Sequence, residues 1–195
     1  PFTPGRIIDS DGILNLPVLP RTMTVVGGGI IGCEYASIFA TLGVEVILVD
    51  RRTALMEFVD REIADTLTYH MRKTNMTLRL GEAVARVFLD DRDRVVTELE
   101  SGKRLIADTL LFSIGRQGAT AALHLEAAGL QADERGRLPV NAHYQTAVGH
   151  IYAAGDIIGF PALASTSMEQ GRLAACHAFG AASCSLPELF PLGIF

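Results

Sequence analysis

Residues 23–34 have the sequence MTVVGGGIIGCE, a short apolar run followed by a glycine-rich turn and a second apolar segment. A β-branched run that ends at glycines is typical of a buried parallel strand. Residues 30–42 place apolar side chains three and four positions apart and stop at Gly43, which predicts a helix. A further strand is predicted at 45–49. The stretch therefore forms a strand–helix–strand unit, whose length matches that of one right-handed crossover between parallel strands.

The turn contains the pattern G-x-G-x-x-G, with Gly27, Gly29 and Gly32 at the glycine positions. The first glycine permits a tight turn, the second lets the main chain approach a pyrophosphate, and the third lets the helix pack on the strand. Ile30 and Ile31 begin the helix, whose N-terminal amides would hold the pyrophosphate. The position of this pattern between a strand and a helix predicts a dinucleotide-binding site.

The end of the second strand carries the residues that would distinguish NAD from NADP. Asp50 is placed to accept hydrogen bonds from the adenosine ribose hydroxyls, which favours NAD. Arg51 and Arg52 follow directly, and an arginine there can pair with the additional phosphate of NADP. Alternatively, both arginines form a solvated loop face. The combination predicts weak discrimination between the two cofactors.

The remaining sequence extends this unit into an α/β fold. Turn residues are frequent at 1–20, which predicts a lead-in segment on the surface. The pattern predicts a Rossmann-like parallel sheet with an antiparallel β-meander. Its further elements are a helix at 60–74, a strand at 76–80, meander strands within 84–106, a strand at 109–114, a short helix from about 123, and strands at 138–140 and 150–153.

The composition excludes several functional classes. The 195 residues include 17 Lys and Arg against 22 Asp and Glu, a formal net charge of −5, so no basic surplus is present to bind nucleic acid or anionic lipid. No apolar run approaches the roughly 18 residues that span a bilayer, which predicts no membrane association. Three cysteines without a C-x-x-C pair and five scattered histidines predict neither disulfides nor a metal site, as expected of a cytoplasmic protein.

Residues 27–34 resemble the pyridine-nucleotide-binding motif of the flavoprotein disulfide reductases. The resemblance implies that Glu34 binds hydroxyls of the nicotinamide-side ribose, although an acid near a helix start can also serve the helix dipole alone. Residues 113–116, with the sequence SIGR, resemble the family's strand-to-loop segment, in which the glycine matching Gly115 lies beside the bound nucleotide.

Two further segments resemble the flavin-binding part of the same family. Residues 146–156, TAVGHIYAAGD, are similar to its second flavin motif, which implies that Asp156 holds the ribityl chain of FAD; an acid that caps a turn is the alternative. The segment of Ala162, Leu163, Ala164 and Ser165 matches the backbone near the flavin pyrimidine. The implied organisation is a lead-in at 1–21, an NAD(P)-binding domain at 22–120 and the C-terminal part of an FAD-binding domain at 121–195.

Within the family, the resemblance is strongest to members that pass hydride between NADPH or NADH and NAD⁺ or NADP⁺ through FAD. In such an enzyme the flavin carries the chemistry, so no catalytic side chain is predicted. A disulfide reductase such as dihydrolipoamide dehydrogenase is one alternative, and a nucleotide-binding module without turnover is another.

The sequence has one G-x-G-x-x-G, whereas the family also has an earlier one for the ADP half of FAD. The resemblance also implies a C-terminal dimerisation domain, which we expect beyond residue 195. We therefore expect a central fragment of an enzyme that is a homo-oligomer when complete, and expect the isolated chain to bind NAD(H) but to hold FAD poorly.

Overall fold

The computed structural model describes residues 2–182, which form two compact units divided after Gly115. The first unit contains two sheets and two helices. Its elements are β1 (Ile7–Asp9), β2 (Thr22–Val26), α1 (Ile30–Thr41), β3 (Glu45–Asp50), α2 (Arg61–Lys73), β4 (Met76–Leu80), β5 (Val84–Leu89), β6 (Val95–Leu99), β7 (Arg104–Ala107) and β8 (Thr109–Phe112).

Five strands form a parallel sheet in the order β1-β8-β2-β3-β4. Val25 in the central strand pairs with Leu48 on one side and with Leu111 on the other. The chain leaves β2 through α1 toward β3, and β8 returns on the opposite side of β2. The order of the strands therefore reverses beside β2, and such switch points are where α/β sheets bind ligands, at the carboxyl ends of the strands.

The local sequence explains where α1 ends and where α2 begins. Gly43 follows α1 with φ of +89°, the left-handed conformation in which glycine carries no steric penalty. The Asp60 carboxylate caps α2 by accepting a hydrogen bond from the Glu62 amide at 2.9 Å. The predicted helices at 30–42 and 60–74 are thus confirmed to within one residue at each end.

Each face of the parallel sheet is covered by a different layer, because successive side chains along a strand point to opposite faces. The antiparallel sheet β5-β6-β7 covers the face that carries Val26, Val49 and Leu110. The helices cover the other face, where the buried core comprises Met23, Val25, Val46, Leu48 and Leu111 of the sheet with Ala36, Phe39 and Met71 of the helices. The predicted α/β class, with a parallel sheet and a β-meander, is confirmed.

The turn-rich segment before β2 contains an element that composition does not predict. Residues Ile7–Asp9 form β1, which pairs in parallel with β8 at the edge of the sheet. Ile7 and Ile8 are each only 4% exposed, so the segment contributes to the core rather than crossing the surface. The strand is short, and its partner lies about a hundred residues later in the chain, so local sequence carries little sign of it.

The second unit contains a 3-10 helix at Leu125–Ala128, another at Gly155–Ile158, and α3 (Ala164–Ala178). Its core centres on Leu130, Leu138 and Ala153. None of the helices in the described part of the chain is long and apolar enough to cross a membrane.

The prediction of strands at 138–140 and 150–153 is wrong. Residues 138–140 are irregular, and 150–153 contribute only an isolated bridge between Gln145 and Tyr152. Pro139 has no amide hydrogen and so cannot donate a hydrogen bond to a neighbouring strand. The Leu138 amide instead donates to the Ile157 carbonyl at 2.9 Å, so these apolar residues bury themselves among turns.

Candidate nucleotide-binding site

The predicted site residues of the first unit meet at the carboxyl ends of β2, β3 and β8. The glycine turn 27–32 follows β2, Asp50 ends β3, and residues 113–115 follow β8. Gly115 is exposed and has φ of +122°, a conformation that side-chain-bearing residues rarely adopt. The parallel sheet thus brings together segments that are up to 88 positions apart in the sequence, between Gly27 and Gly115.

The start of the turn is fixed by hydrogen bonds from both neighbouring strands. Gly27 has φ of +109°, and its amide donates to the Val49 carbonyl at 2.9 Å. The Ser113 hydroxyl donates to the carbonyls of Val26 and Gly27, each at 3.0 Å. A Cβ on Gly27 would lie 2.6 Å from the Ser113 carbonyl oxygen, so the segment that follows β8 closes this side of the turn. The bracing role of Ser113 has no counterpart in the sequence motif.

The other two motif glycines have opposite surroundings. A Cβ on Gly32 would collide with the Gly27 carbonyl oxygen and would lie 2.6 Å from the Ser113 hydroxyl, so α1 packs directly on the turn. A Cβ on Gly29 would meet nothing within 4 Å, and its φ of −83° is open to any residue. Neither the conformation of Gly29 nor its packing against the described residues therefore requires glycine at this position. A ligand that approaches the backbone there would require it.

The helix that follows begins without a side-chain cap. Gly29 is the N-cap residue of α1, and Ile30 and Ile31 form its first turn. The initial amides of a helix have no intrahelical acceptors, and the helix dipole favours an anion beside them. Glu34 is the fifth residue of α1 and is partly buried, so it lies in the second turn rather than the first.

Asp50 is buried beneath the turn and is only 6% exposed. One carboxylate oxygen accepts hydrogen bonds from the Gly28 amide and from Arg52 Nη2, the latter at 2.7 Å. The other oxygen accepts from the Arg52 amide at 2.7 Å and from Arg52 Nε at 3.0 Å. A ribose hydroxyl could reach this carboxylate only if the Arg52 side chain moved aside.

The ionisation of Asp50 follows from these contacts. Burial by itself would raise the pKa of Asp50, but the hydrogen bonds from the Arg52 side chain, the Arg52 amide and the Gly28 amide outweigh it and lower the pKa below the usual 3.8. The same pairing raises the pKa of Arg52. Arg51 is exposed beside this pair. The carboxyl end of β3 therefore presents two positive side chains, one of them held by a buried carboxylate.

Gly28, like Ser113, shapes the turn although the G-x-G-x-x-G pattern does not specify its identity. A Cβ on Gly28 would lie 2.5 Å from Leu55 Cδ2 and 3.1 Å from Asp50 Oδ2. A side chain there would press on Leu55 and on the Asp50 oxygen that accepts the hydrogen bond of the Gly28 amide. Position 28 is variable in the general pattern, so only the run of three glycines in the sequence could have drawn attention to it.

Cys33 lies next to the turn but offers no reactive thiol. Burial, with the charge of Asp50 as a second cause, raises the pKa of Cys33 to about 12. The thiol is protonated at neutral pH and behaves as a small apolar side chain of α1. Within residues 2–182, no group of three or more His, Cys, Asp or Glu side chains is arranged to hold a metal ion.

The residues predicted to contact flavin lie in the second unit. The Asp156 side chain is 56% exposed, and its Oδ2 lies 3.9 Å from Arg116 Nε. Ala162 has φ of +51°, which is uncommon for a residue with a side chain. Leu163 is the N-cap of α3, and Ala164 and Ser165 are the first helical residues, so this segment presents helix N-terminal amides.

The fold and the site define a dinucleotide-binding protein of the doubly wound α/β class. Residues 2–171 match the family model described as pyridine nucleotide-disulphide oxidoreductase, and the chain belongs to that family. It is 51% identical over 194 residues to the soluble pyridine nucleotide transhydrogenase of Mycobacterium tuberculosis and 48% identical over 195 residues to that of Vibrio cholerae. Both alignments cover 100% of this chain, but only 41% and 42% of the relatives.

Solved structures of the family have the same fold. RclA from Escherichia coli, a flavoprotein disulfide reductase, has a TM-score of 0.85 at 34% identity, over 94% of this chain and 41% of RclA. LpdA from Mycobacterium tuberculosis has a TM-score of 0.85 at 29% identity, over 93% of this chain and 39% of LpdA. The chain thus spans about two fifths of the length of the relatives that it matches.

Proposed function

We propose that this chain is the nicotinamide-nucleotide-binding part, with an adjoining flavin-contacting segment, of an FAD-dependent enzyme that transfers hydride between NAD(H) and NADP(H). The names of the relatives at 51% and 48% identity support this activity. The complete enzyme is proposed to be a cytoplasmic homo-oligomer. The domain limits 22–120 and 121–195 remain part of this proposal.

The open backbone at Gly29 carries the proposal. The turn is closed by the segment after β8 at Gly27 and by α1 at Gly32, yet it has free space on the side of Gly29, directly before the helix N-terminus. A diphosphate fits this arrangement, because it needs main-chain amides without a covering side chain. The contacts of Gly115 and Glu34 with the nicotinamide half belong to the same proposal.

The flavin contacts are proposed to come from Asp156 and from residues 162–165. An exposed carboxylate can accept hydrogen bonds from ribityl hydroxyls, and the first amides of α3 can donate to the carbonyl groups of the pyrimidine ring. When bound, FAD would supply the hydride-transfer chemistry. The chain's own residues would orient the two cofactors rather than exchange protons.

The proposal of hydride transfer between nucleotides, rather than disulfide reduction, rests on the names of the relatives and not on the thiols of this chain. Disulfide exchange proceeds through a thiolate. Among the described residues the free cysteines are Cys33 and Cys176, and burial keeps the former protonated. Cys33 is therefore not poised to attack a disulfide.

Titration of the isolated chain with NADH tests the proposal. We expect saturable enhancement of NADH fluorescence, because the turn and the sheet that holds it lie within residues 2–115. A parallel titration with FAD should show much weaker binding, since the segments proposed to contact flavin supply no second diphosphate turn. Absence of any NADH signal from folded protein would refute the proposed function.

The two arginines after β3 are expected to favour the phosphate-bearing cofactor. In the double variant Arg51→Ala/Arg52→Ala, NADPH affinity should fall roughly tenfold, the value of one charge-assisted hydrogen bond, whereas NADH affinity should change much less. The single variant Arg51→Ala leaves the Arg52–Asp50 pair intact. Its loss of NADPH affinity therefore reports phosphate binding alone, without damage to the hydrogen bonds that support the turn. Arg61, whose side chain is 94% exposed on α2, provides the control substitution to alanine. Equal losses for NADPH and NADH would contradict a phosphate role.

A further inference from the structure

A buried hydrogen bond joins α3 to the turn that carries Asp156. The Gly155 amide donates to Gln170 Oε1 at 2.7 Å, and Gln170 is only 4% exposed. Glutamine is mostly found on protein surfaces, and a buried polar side chain is tolerated when it satisfies a specific partner. Gln170 is therefore placed where it serves the backbone of this turn.

The turn can reach Gln170 only because residue 155 is glycine. Gly155 is buried with φ of +80°, and a Cβ there would lie 3.1 Å from the hydroxyl and 3.2 Å from the Cβ of Ser167. Ser167 lies one turn before Gln170 on the same helix. The backbone at Gly155 thus packs directly on α3.

The other side of the turn has its own anchor. The Ile157 carbonyl, immediately after Asp156, accepts a hydrogen bond from the Leu138 amide at 2.9 Å. Asp156 therefore lies between two fixed backbone positions, one held by Leu138 and one by Gln170. Its own carboxylate has a looser contact, the 3.9 Å approach of Arg116, and is largely exposed. The backbone anchors, rather than that ion pair, fix the main-chain position from which the carboxylate extends.

We infer that Gln170 is a positioning residue for flavin binding, which sets the distance between the Asp156 carboxylate and the N-terminus of α3. The inference rests on the proposed function, in which Asp156 and residues 162–165 contact FAD. Both contact segments are attached to one helix: residues 164 and 165 begin α3, and Gln170 of α3 holds the turn at Gly155. A change at Gln170 would alter the spacing of the two contacts without touching the cofactor.

The test compares Gln170→Met with Gln170→Glu in the protein made from the complete reading frame that encodes this chain. Methionine has a similar size but no acceptor for the Gly155 amide, whereas a glutamate oxygen accepts the same hydrogen bond. FAD affinity of the apoprotein, measured by quenching of flavin fluorescence, should fall about tenfold in Gln170→Met and recover in Gln170→Glu. The visible circular dichroism of bound flavin should change in Gln170→Met alone.

Arg172→Ala is the matched control, because this side chain lies on the same helix and is 49% exposed. It should bind FAD like the wild type. Wild-type affinity and dichroism in Gln170→Met would overturn the positioning role while leaving the proposed function intact. A wild-type protein that fails to bind FAD would overturn the proposed function itself. Gln170→Asn, which withdraws the acceptor by one methylene, replaces Gln170→Met if the methionine variant does not fold.

Discussion

Replacement of Gly29 by alanine is expected to weaken NADH binding by roughly 10- to 100-fold, because a methyl group forced into a tight contact costs about 1–3 kcal/mol. The free protein has space for that methyl group and a compatible backbone, with φ of −83°. The melting temperature should therefore stay at the wild-type value. Fluorescence titration with NADH and thermal unfolding of the same preparation measure both effects.

Gly32→Ala supplies the contrast, since its methyl group would collide with the Gly27 carbonyl within the chain. That variant should lose about 3 kcal/mol of unfolding free energy or more, and its weaker NADH binding would follow from a damaged fold. Gly149→Ala, at another open position in the second unit, should be neutral in both assays. Wild-type NADH affinity in Gly29→Ala would show that no diphosphate contacts the turn at this point.

Local patterns in the sequence were sufficient to predict the elements of the first unit from β2 onward, although β8 ends at Phe112 rather than at residue 114. The apolar runs of β2 and β3 and the periodicity of α1 and α2 place these elements correctly. The backbone hydrogen bonds of each element are made within the element itself or with the strand joined to it by a crossover. β1 could not be predicted in this way. Its three residues become a strand only by pairing with β8, a tertiary contact without a local signal.

The same distinction explains what was missed in the site. The motif marks Gly27 and Gly32, which the packing of the turn requires, and Gly29, which only a ligand would require. It does not mark Gly28, whose amide donates a hydrogen bond to Asp50, or Ser113, whose hydroxyl braces the turn from the segment after β8. The burial of Asp50 under Arg52 was likewise invisible, because a carboxylate next to two arginines is compatible with an exposed loop as well as with a buried ion pair.

Replacement of Asp50 by asparagine is expected to lower the unfolding free energy by about 2 kcal/mol at pH 7, since hydrogen bonds to a charged group contribute about 1.5–3 kcal/mol and Arg52 is partly solvated. An asparagine side chain turns one acceptor oxygen into a donor, which would face either the Gly28 amide or the Arg52 backbone amide. Urea unfolding of both proteins gives the difference. Asp91→Asn, at an exposed turn, is the control and should be neutral.

The size of this difference should depend on pH in one direction. The pKa of Asp50 is lower in the folded state than its usual 3.8, so the unfolded chain takes up a proton first as pH falls. The stabilisation is complete above the unfolded pKa and is lost as pH falls through the folded pKa. The gap between wild type and Asp50→Asn should therefore be equal at pH 7 and pH 5 and smaller at pH 3. A gap that stays constant down to pH 3 would mean that the charge of Asp50 contributes nothing, and that its hydrogen-bonding geometry alone holds the turn.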